Sequence, residues 1–245
     1  MGLDFWINER RQQIVFYKNL YRHFLKYSMH YNAHELELLE QDRIPKIIHY
    51  CWFGNGKQND LIKKCIESWK EVLPEYDIVL WNEENFPYDK YPFAAQALKD
   101  RKWAFVSDVA RLYALYYYGG VYMDTDVEVL KPLDPFLHHT FFSSYESDRH
   151  IPTGLMGAKK GSKYIDLLLS WYKDCTYGED YYEIANTRII TRITRLNCGM
   201  KINGEQYNFA NNYYYPRDYF CPSTDGDKWN ITENTYAIHH FTGLW

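Results

Sequence analysis

The sequence predicts an α/β domain, a Rossmann-like mixed sheet flanked by helices, with a helical N-terminal extension. Three observations carry that prediction. Residues 44–52 and 76–81 read as buried strands around an amphipathic helix, a unit that closes as a parallel pair with a right-handed crossover. Residues 105–130, FVSDVARLYALYYYGGVYMDTDVEVL, read as helix, glycine stop and strand. Residues 1–43 are helical in pattern and unlike the rest of the chain, which divides into an extension, 1–43, and a catalytic-type domain, 44–245.

The extension comes first. Ile14, Tyr17, Tyr21, Phe24 and Leu25 recur at helical spacing, interleaved with Arg10, Arg11, Lys18, Arg22 and Lys26. Residues 31–40 predict a second, acidic helix. The first helix is a candidate for peripheral contact with a membrane surface. The interleaving of its cations favours the other reading, a helix packed on the domain with its basic side chains in water.

The first strand, IPKIIHYCW, enters through Pro45. Phe53, Gly54, Asn55 and Gly56 make a turn. Asp60 is placed to cap a helix whose apolar stripe is Leu61, Ile62, Cys65, Ile66 and Trp69. YDIVLW, residues 76–81, is the second strand. Ligands of such sheets bind beyond the carboxyl ends of the strands. His49 reads as a satisfied strand histidine.

The centre comes next. Val106, Val109, Ala110, Leu112, Tyr113 and Tyr116 make the helix, and Gly119 and Gly120 end it. In VYMDTDVEV, alternation puts Tyr122, Asp124, Asp126 and Glu128 on one face of a single strand. Two carboxylates drawn toward an apolar core oppose each other's ionisation. A hard cation, Mn²⁺ or Mg²⁺, removes both penalties, completing its shell with water and phosphate oxygens. Asp108 and Arg111 lie three apart on the preceding helix. Asp108 suits ligand hydroxyls, while Arg111 suits either a phosphate or Asp108 itself.

After the acids, 131–135 is turn chemistry, and 141–146 and 151–158 read as strands, the latter with Gly154 and Gly157 where backbone and ligand can approach closely. A helix covers 164–172. Residues 186–197 put Arg188, Arg192 and Arg195 on one helical face, either a contact for an acceptor phosphate or, the commoner case, a solvated face. Residues 208–222 are tyrosine-rich and predict short strands near the cleft.

Composition bounds the function. The aromatic share is 19%, with 25 Tyr, which suits a sugar-holding cleft as well as a core. A net charge of −4 argues against nucleic acid as a partner. Five cysteines without a CxxC pair favour free thiols over a disulfide framework.

Three motifs carry a resemblance: IIHYCWFG (47–54), YYYGGVYMDTDVEVLKPLD (116–134) with its preceding helix, and TYAIHHFTGLW (235–245). Together they resemble the glycosyltransferases with a DXD sugar-nucleotide motif, the family 32-like group of fungal α-1,6-mannosyltransferases and bacterial capsular polysaccharide transferases. They are similar, more distantly, to the glucosylating domains of large clostridial toxins. The resemblance implies a GT-A-type fold and metal-dependent, retaining transfer of a sugar from a nucleotide donor, a UDP-sugar, to a saccharide or lipid-linked saccharide acceptor. It implies that Trp52 stacks on the nucleotide base beside Phe53 and that Asp108, Arg111 and Asp124 meet the donor. It implies that Asp124 and Asp126, with His239 and His240, serve the metal, and that Trp245 meets the diphosphate. On a strand His239 and His240 point oppositely, so one of them would face the ion. Leu244 replaces the family's serine, which implies weaker metal or diphosphate binding or a water in place of the hydroxyl. Family members are usually tethered by a membrane helix; without one, the sequence predicts a cytoplasmic, bacterial protein. The rivals are a sugar-nucleotide nucleotidyltransferase, for which GNGKQ is a poor phosphate loop, and a non-catalytic saccharide-binding module, which needs neither paired acids nor Trp52.

Overall fold

A computed structural model describes residues 3–28, 43–147, 150–178, 185–225 and 228–243, with backbone alone for 3–9, 12 and 28. The acidic helix expected at 31–40 lies outside the described residues, as do Leu244 and Trp245.

Helix α1 (Leu3–Ser28) precedes β1 (Ile47–Cys51), α2 (Asp60–Val72) and β2 (Asp77–Trp81). Then come α3 (Pro92–Lys99), α4 (Trp103–Tyr118), β3 (Gly120–Met123) and β4 (Val127–Val129). Strands β5 (Phe141–Ser144) and β6 (Leu155–Ala158) lead to α5 (Lys163–Lys173) and α6 (Asn186–Cys198). The chain ends on β7 (Tyr207–Phe209), β8 (Asn212–Tyr215), β9 (Thr224–Asp225), β10 (Lys228–Trp229) and β11 (Ala237–His239).

Seven strands form one mixed sheet in the order β2-β1-β3-β6-β5-β8-β7. The first three are parallel, as the α2 crossover and the α3–α4 pair require, and β6 runs antiparallel to β3. The carboxyl ends of β1, β2 and β3 therefore share one edge. Alternation divides β3 between two cores: Tyr122 packs with the α4 and α5 side, Val121 and Met123 with the α2 side. The cap of α2 falls one residue earlier than expected, since the Asn59 side chain accepts the Ile62 N–H at 2.9 Å.

The largest departure from the sequence reading is the central strand. It is two strands, not one. β3 belongs to the large sheet and β4 pairs with β11 in a small one. Between them Asp124, Thr125 and Asp126 form a tight turn, with Val127 N–H donating to the Asp124 carbonyl at 3.0 Å. Alternation along one strand did not set where the acids point; the turn did. Ahead of β3, Gly119 and Gly120 both adopt positive φ (70° and 106°), and a Cβ on Gly120 would lie 2.5 Å from the Ile47 carbonyl oxygen. The helix stop is thus also where β3 closes against β1.

Helix α1 packs on α5 and α6 through a face other than the one expected. Phe16, Leu20 and His23 are buried, whereas Ile14, Tyr17, Tyr21 and Leu25 face outward. Phe16 meets Trp171 edge-on at 5.8 Å. Burying a side chain the size of Phe16 or Leu20 contributes about 1.5–3 kcal/mol. The helix is apolar on two sides, and periodicity alone cannot say which one finds a partner. All five cysteines are free thiols. Among the described residues no helix is long and apolar enough to cross a membrane.

His23 (Nε2 to Ser170 Oγ, 2.8 Å) and His49 are satisfied and buried. His49 receives the Trp81 indole N–H on Nδ1 at 3.1 Å, so its Nε2 donates to the Gly119 carbonyl at 2.7 Å. Burial pulls both imidazoles down to about 4. Their folded pKa lies below the unfolded value, so the associated stability is present above about 6.5 and is lost as pH falls toward 4. Each histidine should cost roughly 1–2 kcal/mol at pH 5. Urea midpoints at pH 7.5 and 5.0 check this; equal midpoints would contradict it.

Candidate active site

The site lies at the carboxyl edge of the parallel strands. Three backbone elements assemble it: the turn after β3, the end of β11, and the segment entering β6. Asp124 N–H donates to the Gly154 carbonyl at 2.7 Å, which fixes the turn against β6. A Cβ on Gly154 would stand 2.7 Å from the His239 ring and 3.2 Å from an Asp124 carboxylate oxygen, so the close approach of that ring requires glycine. Here Gly154 makes room for a site residue.

Asp124, Asp126 and His239 are all buried, and their ligand atoms lie within 4.8 Å of one another. Asp124 Oδ1 accepts the Tyr122 hydroxyl at 2.8 Å and faces Arg111 Nη1 at 3.1 Å. Its Oδ2 is 3.9 Å from His239 Nε2. Asp126 Oδ2 accepts both the backbone N–H and the hydroxyl of Thr242 at 2.8 Å. Asp126 Oδ1 and His239 Nε2 face each other at 3.3 Å, yet neither has a hydrogen-bond partner. Two buried polar atoms left unmade are costly. Burial alone would raise the Asp126 carboxyl, but His239 and Thr242 outweigh it and hold the group below the ordinary carboxylate range. Burial pulls the His239 imidazole down, and Asp126, Cys221 and Asp124 reverse this, raising it to about 10.

The orphaned pair and Asp124 Oδ2 fit a divalent ion: two hard carboxylate oxygens and one imidazole nitrogen converge on one point. His240 does not join them. Its Nε2 is 3.0 Å from Glu128 Oε2, and its backbone N–H donates to the Asp126 carbonyl. Neighbours on an extended strand point to opposite sides, so the His-His pair divides between the ion site and β4.

Arg111 is a buried hub. Nη1 donates to the Thr153 carbonyl (2.9 Å) and hydroxyl (3.0 Å), and Nε to the Ser107 carbonyl (3.1 Å). Nη2 pairs with Asp108 Oδ1 at 3.2 Å, and the guanidinium lies 4.7 Å from the Tyr122 ring centroid. Its donors are spent on the protein. The phosphate contact considered for it is therefore replaced by a positioning role between Asp108 and Asp124. Asp108 also accepts from Asn186 Nδ2 at 2.5 Å; burial pushes its carboxyl up to about 6 against the pull of Arg111 and Asn186.

Beside the acids opens a cleft of about 380 Å³, bounded by Trp52, Phe53, Trp103, Ser107 and Thr125 among others. Trp52 is half-buried, and its indole N–H donates to the Gly56 carbonyl at 2.8 Å, holding the ring at the cleft wall. Phe53 is buried and meets Phe86 edge-on at 6.2 Å. Sequence reasoning missed Trp103, Thr153, Asn186 and Thr242, and also Glu146, whose carboxyl is raised by burial and pulled back by His239. Of these only Thr242, inside the tail motif, carried a signal.

Residues 59–143 match the family described as glycosyltransferase sugar-binding region containing DXD motif. This segment is the sugar-binding region of a DXD glycosyltransferase. It spans Asp108, Arg111 and both acids of the turn, and leaves out Trp52 and His239. Inositol phosphoceramide mannosyltransferase 3 of Schizosaccharomyces pombe is 32% identical over 168 residues, covering 62% of this chain and 43% of that protein. Mannosyl phosphorylinositol ceramide synthase SUR1 of Saccharomyces cerevisiae is 31% identical over 126 residues, 47% of this chain and 31% of its own. The chain thus spans less than half the length of the curated relatives it matches. Those relatives are fungal. Among solved structures, PaToxG glycosyltransferase superposes with a TM-score of 0.49 at 19% identity, covering 76% of this chain and 79% of that one. The galactosyltransferase LgtC, solved with donor and acceptor sugar analogues, gives 0.42 at 15%, covering 79% and 86%. A DXD region implies a divalent cation, and the Asp124, Asp126 and His239 cluster of this DXD glycosyltransferase region is where one fits.

Proposed function

We propose that the chain is a metal-dependent, retaining glycosyltransferase that moves a sugar from a nucleotide-sugar, a UDP-sugar, to a saccharide or lipid-linked saccharide. The observation that carries this is the unpartnered pair Asp126 Oδ1 and His239 Nε2, converging with Asp124 beneath an indole-walled cleft. Asp124, Asp126 and His239 hold Mn²⁺ or Mg²⁺, which neutralises the diphosphate as it leaves. Trp52 covers the base. Among the described residues Asp108 takes hydrogen bonds on Oδ1 only, so Oδ2 is left for a donor-sugar hydroxyl. Arg111 keeps Asp108 and Asp124 in place. Trp245 is proposed at the diphosphate from the tail motif alone. The acceptor attacks on the face the diphosphate leaves, which gives retention. The outward Ile14, Tyr17, Tyr21 and Leu25 of α1 would meet a membrane carrying a lipid-linked acceptor.

The test is incubation with Mn²⁺ and UDP-Gal, UDP-Glc, UDP-GlcNAc or GDP-Man. Nucleoside diphosphate release supports transfer or donor hydrolysis. Pyrophosphate release from UTP and a sugar phosphate would indicate a nucleotidyltransferase, and sugar binding without turnover a binding module. Trp52→Ala should weaken nucleotide binding by about 1–3 kcal/mol, the scale of one stacked base. Unchanged affinity by calorimetry would return Trp52 to a structural role.

A further inference from the structure

Helix α6 carries no acidic residue, and Arg188, Arg192 and Arg195 succeed one another at i, i+4 and i+7 on one face. Like charges at that spacing repel. Among the described residues, no carboxylate pairs with any of the three. They border a recess of about 320 Å³ together with His150 and Thr191. The recess is framed by specific bonds. Thr191 Oγ1 accepts the Ile151 N–H at 2.9 Å and so fastens the segment bearing His150 to α6. Arg192 is braced by Tyr17, donating to its hydroxyl at 3.0 Å, and by the Phe16 ring, 4.8 Å from centroid to guanidinium. The same helix begins inside the candidate active site, where Asn186 donates to Asp108 and to Thr153 Oγ1. Six residues separate Asn186 from Arg192, about 9 Å along the axis. A second hollow, bounded by Tyr17, Leu20 and Leu196, shares Arg192 and Arg195 with the first and continues it along α1.

We infer that His150, Arg188, Arg192 and Arg195 form a binding recess for the phosphate group of an acceptor, on the order of 9 Å from the donor-side acids. This rests on the glycosyltransferase reading, and it narrows the acceptor to a phosphate ester. Arginine forks match phosphate oxygens bidentately. The neighbouring apolar hollow admits a lipid-borne phosphate, and the open recess admits a soluble one.

Binding of sn-glycerol 3-phosphate is measured by calorimetry, and binding to phosphatidylglycerol against phosphatidylcholine vesicles by sedimentation, for the full chain and for Arg188→Gln/Arg195→Gln. The expected result is binding of at least one phosphate probe that falls tenfold or more in the double variant. Loss with both probes places the recess at lipid headgroups as well; loss with glycerol phosphate alone assigns soluble esters. Wild-type protein that binds neither probe, or a variant that binds both as wild type does, overturns the proposal. Nucleoside diphosphate release without acceptor is measured in parallel and should be equal in both proteins. Release absent from wild type with phosphate binding intact would sink the glycosyltransferase reading and leave the recess standing; the reverse pattern would remove only the recess. Circular dichroism confirms that the double variant is folded.

Discussion

Asp126→Ala is expected to abolish Mn²⁺-dependent UDP binding while the chain still unfolds cooperatively. Asp126 Oδ1 is one of the two atoms left without a partner, so its only unmet demand is toward the ion. Removing an outer partner of a metal ligand typically costs 10–100-fold in affinity, and removing the ligand itself should cost roughly a hundredfold or more. The fold tolerates the change. His239, deprived of its carboxylate, sheds its proton rather than remaining as an unpaired buried cation, because burial already disfavours the charged ring. What loosens is local: the two Thr242 donors lose Asp126 Oδ2. Titration with Mn²⁺, read by calorimetry or by the electron-spin signal of free ion, decides it without any turnover. Asp126→Asn separates the effects, since it keeps an acceptor for Thr242 and loses the charge. Metal affinity retained in both variants would remove the ion from this site.

Arg111→Met should be the most destabilising single change in the site, by about 3–5 kcal/mol, the cost of leaving a buried charge without its partner. Two carboxylates are at stake. Asp108 and Asp124 are 7% and 4% exposed, and the guanidinium lies within 3.2 Å of an oxygen of each. The deficit should vary with pH. Asp108 is already raised to about 6 with Arg111 present, and its loss raises that group further. A folded pKa above the unfolded one contributes stability at low pH that is lost as pH rises through the folded value. The variant's deficit should therefore be larger at pH 8 than at pH 5. Urea unfolding at both values measures it. A deficit below about 1 kcal/mol, flat with pH, would mean that the acids are neutralised some other way.

Much of the donor side was legible without coordinates. The parallel β1–β2 pair comes from two apolar runs around an amphipathic helix. The glycine pair announced where α4 ends, because only a residue without a side chain takes those backbone angles against β1. The acids were conspicuous as charges inside an apolar stretch. Their arrangement was read less well. Alternation assumes one continuous strand, and here the chain turns at the acids, so their directions come from the turn and from Gly154, thirty residues on. The buried face of α1 was misjudged for a similar reason: two apolar stripes compete, and Trp171 on a distant helix selects Phe16.

Local sequence, then, was enough to establish that this chain makes an α/β sheet whose third parallel strand ends in a pair of carboxylates, since helix stops, strand runs and charge in an apolar context act over a few neighbours. The tertiary structure alone decided which histidine turns to those carboxylates, that Arg111 is held as their counter-charge rather than offered to a ligand, and that Asn186 and Thr153 complete the cluster. Those choices depend on atoms brought within about 3 Å from positions tens to over a hundred residues apart, and no pattern along the chain encodes such a distance.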